Sequence, residues 1–170
     1  SDFKQKKTLI LRNLTKSRLY EYMSASKPEL NEIPVLIHSH TLYEQGPSRI
    51  MPFDLSKELN IPYTATSPNL LASFIRIIEN ESVNCNACAT SHAFYIIKGF
   101  GNCNIPDYGN IDYNEGDMIV IPETSSNHII FTSLKENTAI YWINDEPLLK
   151  YLNVIPKNKN FEPTLFRKNT

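Results

Sequence analysis

Two stretches decide how this chain folds: "HAFYIIKGFG" at residues 92–101 and "YNEGDMIVIPETSSNH" at residues 113–128. The first is a run of aromatic and β-branched residues halted at Gly99-Phe100-Gly101, as a strand is halted by a turn. The second opens on a Gly116-Asp117 turn, enters another apolar run, and leaves it at Pro122 on the way to His128. A strand, a loop and a second strand entered through glycine and left through proline form a β-rich text with no helical period.

Outward from these stretches the same texture continues. "RIMPF", "LLASFIRII", "SVNCNAC", "GNCNI", "HIIFTS" and "TAIYWI" are further β-rich runs, separated by the turn signals "ENES" at 79–82, "PDYGN", "NEGD" and "LKEN". Eight short strands with polar turns between them and no βαβ rhythm predict an antiparallel sandwich or barrel of the jelly-roll class. Upstream, "NLTKSRLYEYMSAS" places Leu14, Leu19 and Tyr22 among helix formers, with Thr15 or Ser17 as caps, which predicts a short helix near 15–24 in a peripheral arm. The tail "YLNVIPKNKNFEPTLFRKNT" is rich in Pro and Asn and reads as an extended strap or linker. The expected organisation is an N-terminal arm at 1–48, an all-β barrel at 49–155 and a C-terminal strap at 156–170.

Composition narrows the function classes. The 170 residues, 41% of them hydrophobic, suffice for one domain with a sizeable core. Lys and Arg number 17 against 18 Asp and Glu, so no net field recommends the chain to nucleic acid, and the cluster Lys4, Lys6, Lys7, Arg12, Lys16 and Arg18 reads as a solvated face. No apolar run exceeds five residues, so neither a membrane helix nor a signal peptide is expected. Three cysteines, an odd count, argue against a disulfide framework and for a reducing, cytoplasmic setting. The first residue is Ser1, which reads as a trimmed chain or a piece of a longer one.

The pattern around Gly99, Gly116 and Pro122 resembles that of the cupins. Their first motif is His-x-His-x3,4-Glu-x6-Gly and their second is Gly-x5-Pro-x-Gly-x2-His. Gly99 stands where the first motif closes, and Gly116 and Pro122 have the spacing of the second. "RIMPFDL", "TATSPNLLASFIRI", "ATSHAFYIIKGFG" and "WINDEPLLKYL" resemble, in order, successive segments of the gentisate dioxygenase-like cupins over roughly residues 49–155. The resemblance implies a cupin jelly roll, a non-haem divalent metal in the barrel, ring-cleaving oxygenase chemistry and, since that group is commonly built of two barrels, one unit of a two-barrel protein.

The ligand positions depart from the family. Its two histidines fall on Asn86 and Cys88, its glutamate on His92, and its second-motif histidine on Asn127, with His128 one place later. An iron site wants two or three neutral imidazoles, sometimes a carboxylate, and open positions beside them. Only His92 and a displaced His128 remain as candidate metal ligands, and His128 faces inward only if a bulge restores its direction. The metal implied is iron, zinc, nickel or none.

Elsewhere, "HSHTLYEQG" at 38–46 offers His38-x-His40-x3-Glu44, but the glycine required seven residues on is Met51, so this stretch is expected to be a surface strand with two histidines on one face. Cys85-x2-Cys88 could be half of a zinc site with His92 and His128, or a redox pair, but is expected to be two small residues on alternate faces of a strand. Arg76 within "SFIRII" is costly to bury without a counter-charge and is expected either to meet an anion in the barrel or to pair with a surface glutamate. Tyr95, Tyr141 and Trp142 are candidate pocket or core aromatics, and Asp145 is expected to cap the final strand.

The candidate pocket is thus His92, Asn86, Cys88, Asn127, Arg76 and Tyr95. The expected function is that of a non-catalytic small-molecule-binding or structural cupin with a degenerate metal site, functioning as a homodimer through its arm and strap. The alternative is a gentisate dioxygenase-like oxygenase. No nucleic-acid or membrane partner is expected.

Overall fold

The computed structural model describes residues 34–124, 126 and 128–168; the helix expected at 15–24 lies outside them. Among the described residues ten strands form two antiparallel sheets. The larger has the order β1-β2-β9-β4-β7-β10, with β1 Arg49–Pro52, β2 Leu71–Ile77, β9 Thr138–Asn144, β4 Ser91–Lys98, β7 Met118–Pro122 and β10 Thr164–Phe166. The smaller has the order β3-β8-β5-β6, with β3 Ser82–Cys85, β8 Ile129–Ser133, β5 Gly101–Ile105 and β6 Gly109–Tyr113. One helical turn, α1 Thr41–Glu44, precedes β1, and α2 Glu146–Leu152 follows β9.

Strand alternation builds the core. On β4 the side chains of His92, Phe94 and Ile96 are buried, whereas Tyr95 and Lys98 are exposed. The inward sets of both sheets meet in one cluster containing Phe94, Phe131, Tyr113 and Trp142 with Ile75, Ile77, Ile96, Ile105, Ile119, Ile121, Ile129 and Ile140. Each such side chain contributes roughly 1.5–3 kcal/mol of burial free energy, so the jelly roll rests on this lumen.

The glycines of "GFG" have a steric cause. Gly99 lies at φ +92°, and a Cβ there would stand 2.5 Å from Thr138 Oγ1 and 2.8 Å from the backbone carbonyl oxygen of Asn137. At Gly101 a Cβ would meet the Thr132 carbonyl oxygen at 2.0 Å and the Tyr113 hydroxyl at 2.6 Å. The first glycine therefore makes the turn, and the second lets β8 and the Tyr113 ring close over β5.

All eight predicted runs contain strands. Two further strands and a helix were not anticipated. β6 begins inside "PDYGN", which read as a turn, because an edge strand with exposed Gly109, Asn110 and Asp112 carries little apolar signal. β10 pairs with β7 in the register Leu165↔Ile119, so the strap folds back onto its own sheet. The guanidinium of Arg167 fixes it by donating to Asp117 Oδ2 at 2.7 Å, and the Lys168 N–H donates to Oδ1 at 3.2 Å. α2 starts after Asp145 with a proline in its first turn and ends at Asn153 in the left-handed region, start and stop signals that a reading for strands alone passed over. Asp145 accordingly lies at a helix start, and its carboxylate accepts from the Thr90 N–H at 2.8 Å, the Ser91 N–H at 3.3 Å and the Thr90 hydroxyl, tying down the loop between β3 and β4.

The stretch 38–46, expected to be a surface or strap strand, instead holds the helical turn α1 between its flanking segments. His38 stacks on Phe53 with ring centroids 4.3 Å apart, and His40 faces Glu44 at 3.6 Å one turn away. Four residues of spacing suit a helix face, so the two histidines part company.

Candidate functional site

His92 is the predicted site residue that the fold carries into the barrel. The register places it beside Asn144 of β9 on one side and Ile121 of β7 on the other, at one end of the lumen. The indole Nε1 of Trp142 donates to His92 Nδ1 at 3.2 Å. An indole nitrogen can only donate, so Nδ1 is an acceptor and the neutral ring carries its proton on Nε2. The His92, Phe94 and Trp142 rings lie nearly parallel, with Phe94 and Trp142 centroids 5.4 Å apart and His92 and Trp142 centroids 5.9 Å apart. Burial pushes the imidazole down to about 4, with the Asp145 charge opposing it. His92 is therefore neutral at physiological pH.

Next to it lies polar capacity without a partner. Asn144 Nδ2 and Ser73 Oγ, on adjacent strands of the same sheet, are buried and have no hydrogen-bond partner among the described residues. Buried groups of this kind call for a water or a small ligand. The sequence reading missed Asn144, Ser73 and the donor role of Trp142, because only the pairing of β2, β9 and β4 brings them to His92.

The other described candidates lie elsewhere. Asn86 is exposed, while Cys85 and Ala87 on either side of it belong to the core. Cys88 is half-buried; its N–H donates to Glu146 Oε1 at 3.0 Å, and burial followed by the Glu146 charge raises its thiol pKa. It lines a cleft of about 530 Å³ with Tyr63, Glu146, Leu149, Lys150, Asn153, Val154 and Ile155. Cys85 is fully buried at the end of β3, and Cys88 lies in the loop beyond it, so the two do not share a strand. His128 is exposed, its Nδ1 accepting from Asn84 Nδ2 at 2.8 Å. Asn127 lies outside the described residues.

Arg76 points away from the lumen, and neither a barrel anion nor a surface glutamate is its partner. Its Nε and Nη1 donate to the carbonyl oxygens of Gly46 at 2.7 Å and Tyr43 at 3.1 Å. Tyr95 is 43% exposed on the outer face, in register with Tyr141 and with Met118, which in turn pairs with Phe166. Among the described residues no group of three or more His, Cys, Asp or Glu has the arrangement of a metal site, and no helix is long and apolar enough to cross a membrane.

No protein-family model matches the chain, and no curated protein matches it significantly. Solved structures do. A variant of salicylate 1,2-dioxygenase from Pseudoaminobacter salicylatoxidans in complex with gentisate superposes with a TM-score of 0.51 at 14% identity, over 69% of this chain and 32% of that one. Another structure of salicylate 1,2-dioxygenase from that organism gives 0.50 at 15% identity, over 66% and 32%. An RmlC-like cupin family protein from Methanocaldococcus jannaschii with a double-stranded β-helix fold gives 0.44 at 16% identity, over 52% and 79%. By its likeness to the two dioxygenase structures the chain has a cupin fold. It spans about a third of the length of the salicylate dioxygenases it resembles, and at these identities the likeness is one of cupin architecture.

Proposed function

We propose that this cupin is a non-catalytic, small-molecule-binding domain whose metal site has decayed. The observation that carries the reading is the donor set at the lumen. The single inward imidazole, His92, has its Nδ1 engaged by the Trp142 indole, and the neighbouring inward positions hold Cys85, Ala87, Ile121, Ile129 and Phe131. One imidazole among aliphatic and aromatic side chains does not fit the two or three neutral nitrogens with a carboxylate that a non-haem iron or comparable divalent centre requires. Exposed Asn86 and His128 add no ligand to that set.

Two places support ligand binding in its stead. The first is the neutral polar end of the lumen beside His92, where Asn144 and Ser73 offer an unpartnered N–H and O–H to a small acceptor. The second is the 530 Å³ cleft beside α2, within the size range of small-molecule sites and walled by Leu149, Val154, Ile155 and Tyr63. The row Tyr141–Tyr95–Met118–Phe166 on the outer sheet face suits a second copy, because an uncharged patch can meet itself across a two-fold axis. A monomeric mass by light scattering at every loading concentration would remove the homodimer. Buried Cys85 and Cys103 and half-buried Cys88, all unpaired, suit a cytoplasmic setting.

The deciding experiment is anaerobic loading with ferrous iron, desalting, metal analysis, and oxygen uptake with a panel of dihydroxybenzoates. The expected result is no stoichiometric iron and no substrate-dependent oxygen consumption. Retained iron with oxygen consumption abolished by His92→Ala would establish the gentisate dioxygenase-like alternative.

A further inference from the structure

The strongest unexplained feature lies outside the lumen, at the opposite end of β9 from His92. Arg49 and Arg76 are direct cross-strand partners on β1 and β2, an arrangement in which like charges repel. Both are turned toward the segment around α1. Arg49 donates to the carbonyl oxygens of Leu42, Gln45 and Pro47, and Arg76 to those of Tyr43 and Gly46. These acceptors are neutral. None of the ion pairs among the described residues includes Arg49, Arg76 or Lys98. Arg76 is only 8% exposed and permanently charged, so a buried cation stands there without an ion-pair partner among the described residues.

The register supplies a third cation. Ala139 of β9 pairs with Arg76 on one side and with Lys98 of β4 on the other, so two long cationic side chains flank one methyl group on the same face of the sheet. The space between them is a pocket of about 180 Å³, lined also by Tyr43, Glu44 and Asn137. Asn137 Oδ1 accepts the Glu79 N–H at 2.9 Å, which leaves its NH2 group to donate. Arg76 keeps Nη2 beyond the two nitrogens committed to carbonyls. Among the described residues that line the pocket, Glu44 is the one opposing charge; it is half exposed and faces His40 at 3.6 Å.

The geometry points to an oxyanion site: this pocket binds a phosphate-type group, free or carried on a small molecule, between Arg76 and Lys98. The volume is below that of most organic-ligand pockets and suits a single tetrahedral anion. A guanidinium fork and an ammonium are the pair of cations that phosphate recognition uses, the fork for direction and the ammonium as a point charge. The site is separate from the lumen and from the cleft beside α2, so it stands whether or not the function proposed above holds.

The test is calorimetric titration of the full chain with inorganic phosphate, and with sulfate, in chloride buffers of matched ionic strength. The expected result is saturable binding of one anion per chain. Lys98→Glu should weaken it roughly tenfold or more, and Glu44→Gln should tighten it about two- to threefold, since removing an opposing charge favours the anion. Both substitutions are at exposed side chains, and unfolding curves in chloride that match the wild type certify the fold. Glycerol phosphate binding more tightly than inorganic phosphate would identify a phosphorylated small molecule as the source; equal binding would identify the free ion. Absence of saturable binding, or identical binding by wild type and Lys98→Glu, overturns the site and leaves Arg76 as a clamp on the 43–46 carbonyls.

Discussion

Stability should depend on pH through one buried ring. The His92 imidazole titrates near 4 in the native state and near its ordinary 6.5 in the unfolded chain, because burial disfavours its charged form. Above pH 6.5 both states are neutral at this position and the group contributes no pH dependence. As the pH falls from 6.5 toward about 4, the unfolded chain takes up a proton that the native chain refuses, so stability declines. Each pH unit in that interval is worth about 1.4 kcal/mol, which gives about 2 kcal/mol lost by pH 5 and roughly 3 kcal/mol by pH 4. With a urea slope of about 1–3 kcal/mol per molar, the loss at pH 5 appears as a midpoint lowered by about 1 M. The control is His92→Gln, which cannot titrate yet offers the Trp142 indole an acceptor. It should be less stable than the wild type at pH 7.5, having lost the ring packed against Phe94 and Trp142, but its midpoint should move much less between pH 7 and 5. The exposed histidines, His38, His40 and His128, are common to both proteins and cancel in the difference. Parallel midpoint curves for wild type and variant over that range would refute a neutral, desolvated His92.

Asp145→Ala removes the acceptor of the Thr90 and Ser91 N–H groups and the Thr90 hydroxyl, and should cost about 2–3 kcal/mol in denaturant unfolding, with faster amide exchange at both residues. Exchange unchanged at Thr90 and Ser91 would show that the loop is held by other means. Desolvation raises the thiol pKa of Cys85 and Cys103, whereas Cys88 is half-buried. Ellman titration of the native protein should therefore modify Cys88 alone, slowly, and all three cysteines in denaturant.

The sequence by itself determined where the strands run and where the chain turns. "HAFYIIKGFG" forms β4 and its exit because aromatic and β-branched residues favour a pleated, half-buried surface, and because only glycine fits against Thr138 and Thr132 at positions 99 and 101. Runs such as "LLASFIRII" and "TAIYWI" were legible for the same local reason. What failed to show was weakly apolar or directional. β6 is a polar edge strand, and α2 rests on start and stop residues around a short apolar segment.

The candidate site was much less legible. His92 could be singled out by its spacing from Gly99, but spacing gives neither the face a neighbour occupies nor its hydrogen-bond partner. A shift of one residue reverses a side chain, so Asn86 went to the surface while Cys85 and Ala87 went to the core. The Trp142–His92 bond, the unpartnered Asn144 and Ser73, and the bracketing of Ala139 by Arg76 and Lys98 join residues 40 to 70 positions apart in the chain or on non-consecutive strands. Those juxtapositions exist only once β9 lies between β2 and β4. Local preference sets each strand, but the burial of two sheets against each other sets the register, and register alone decides which distant side chains meet.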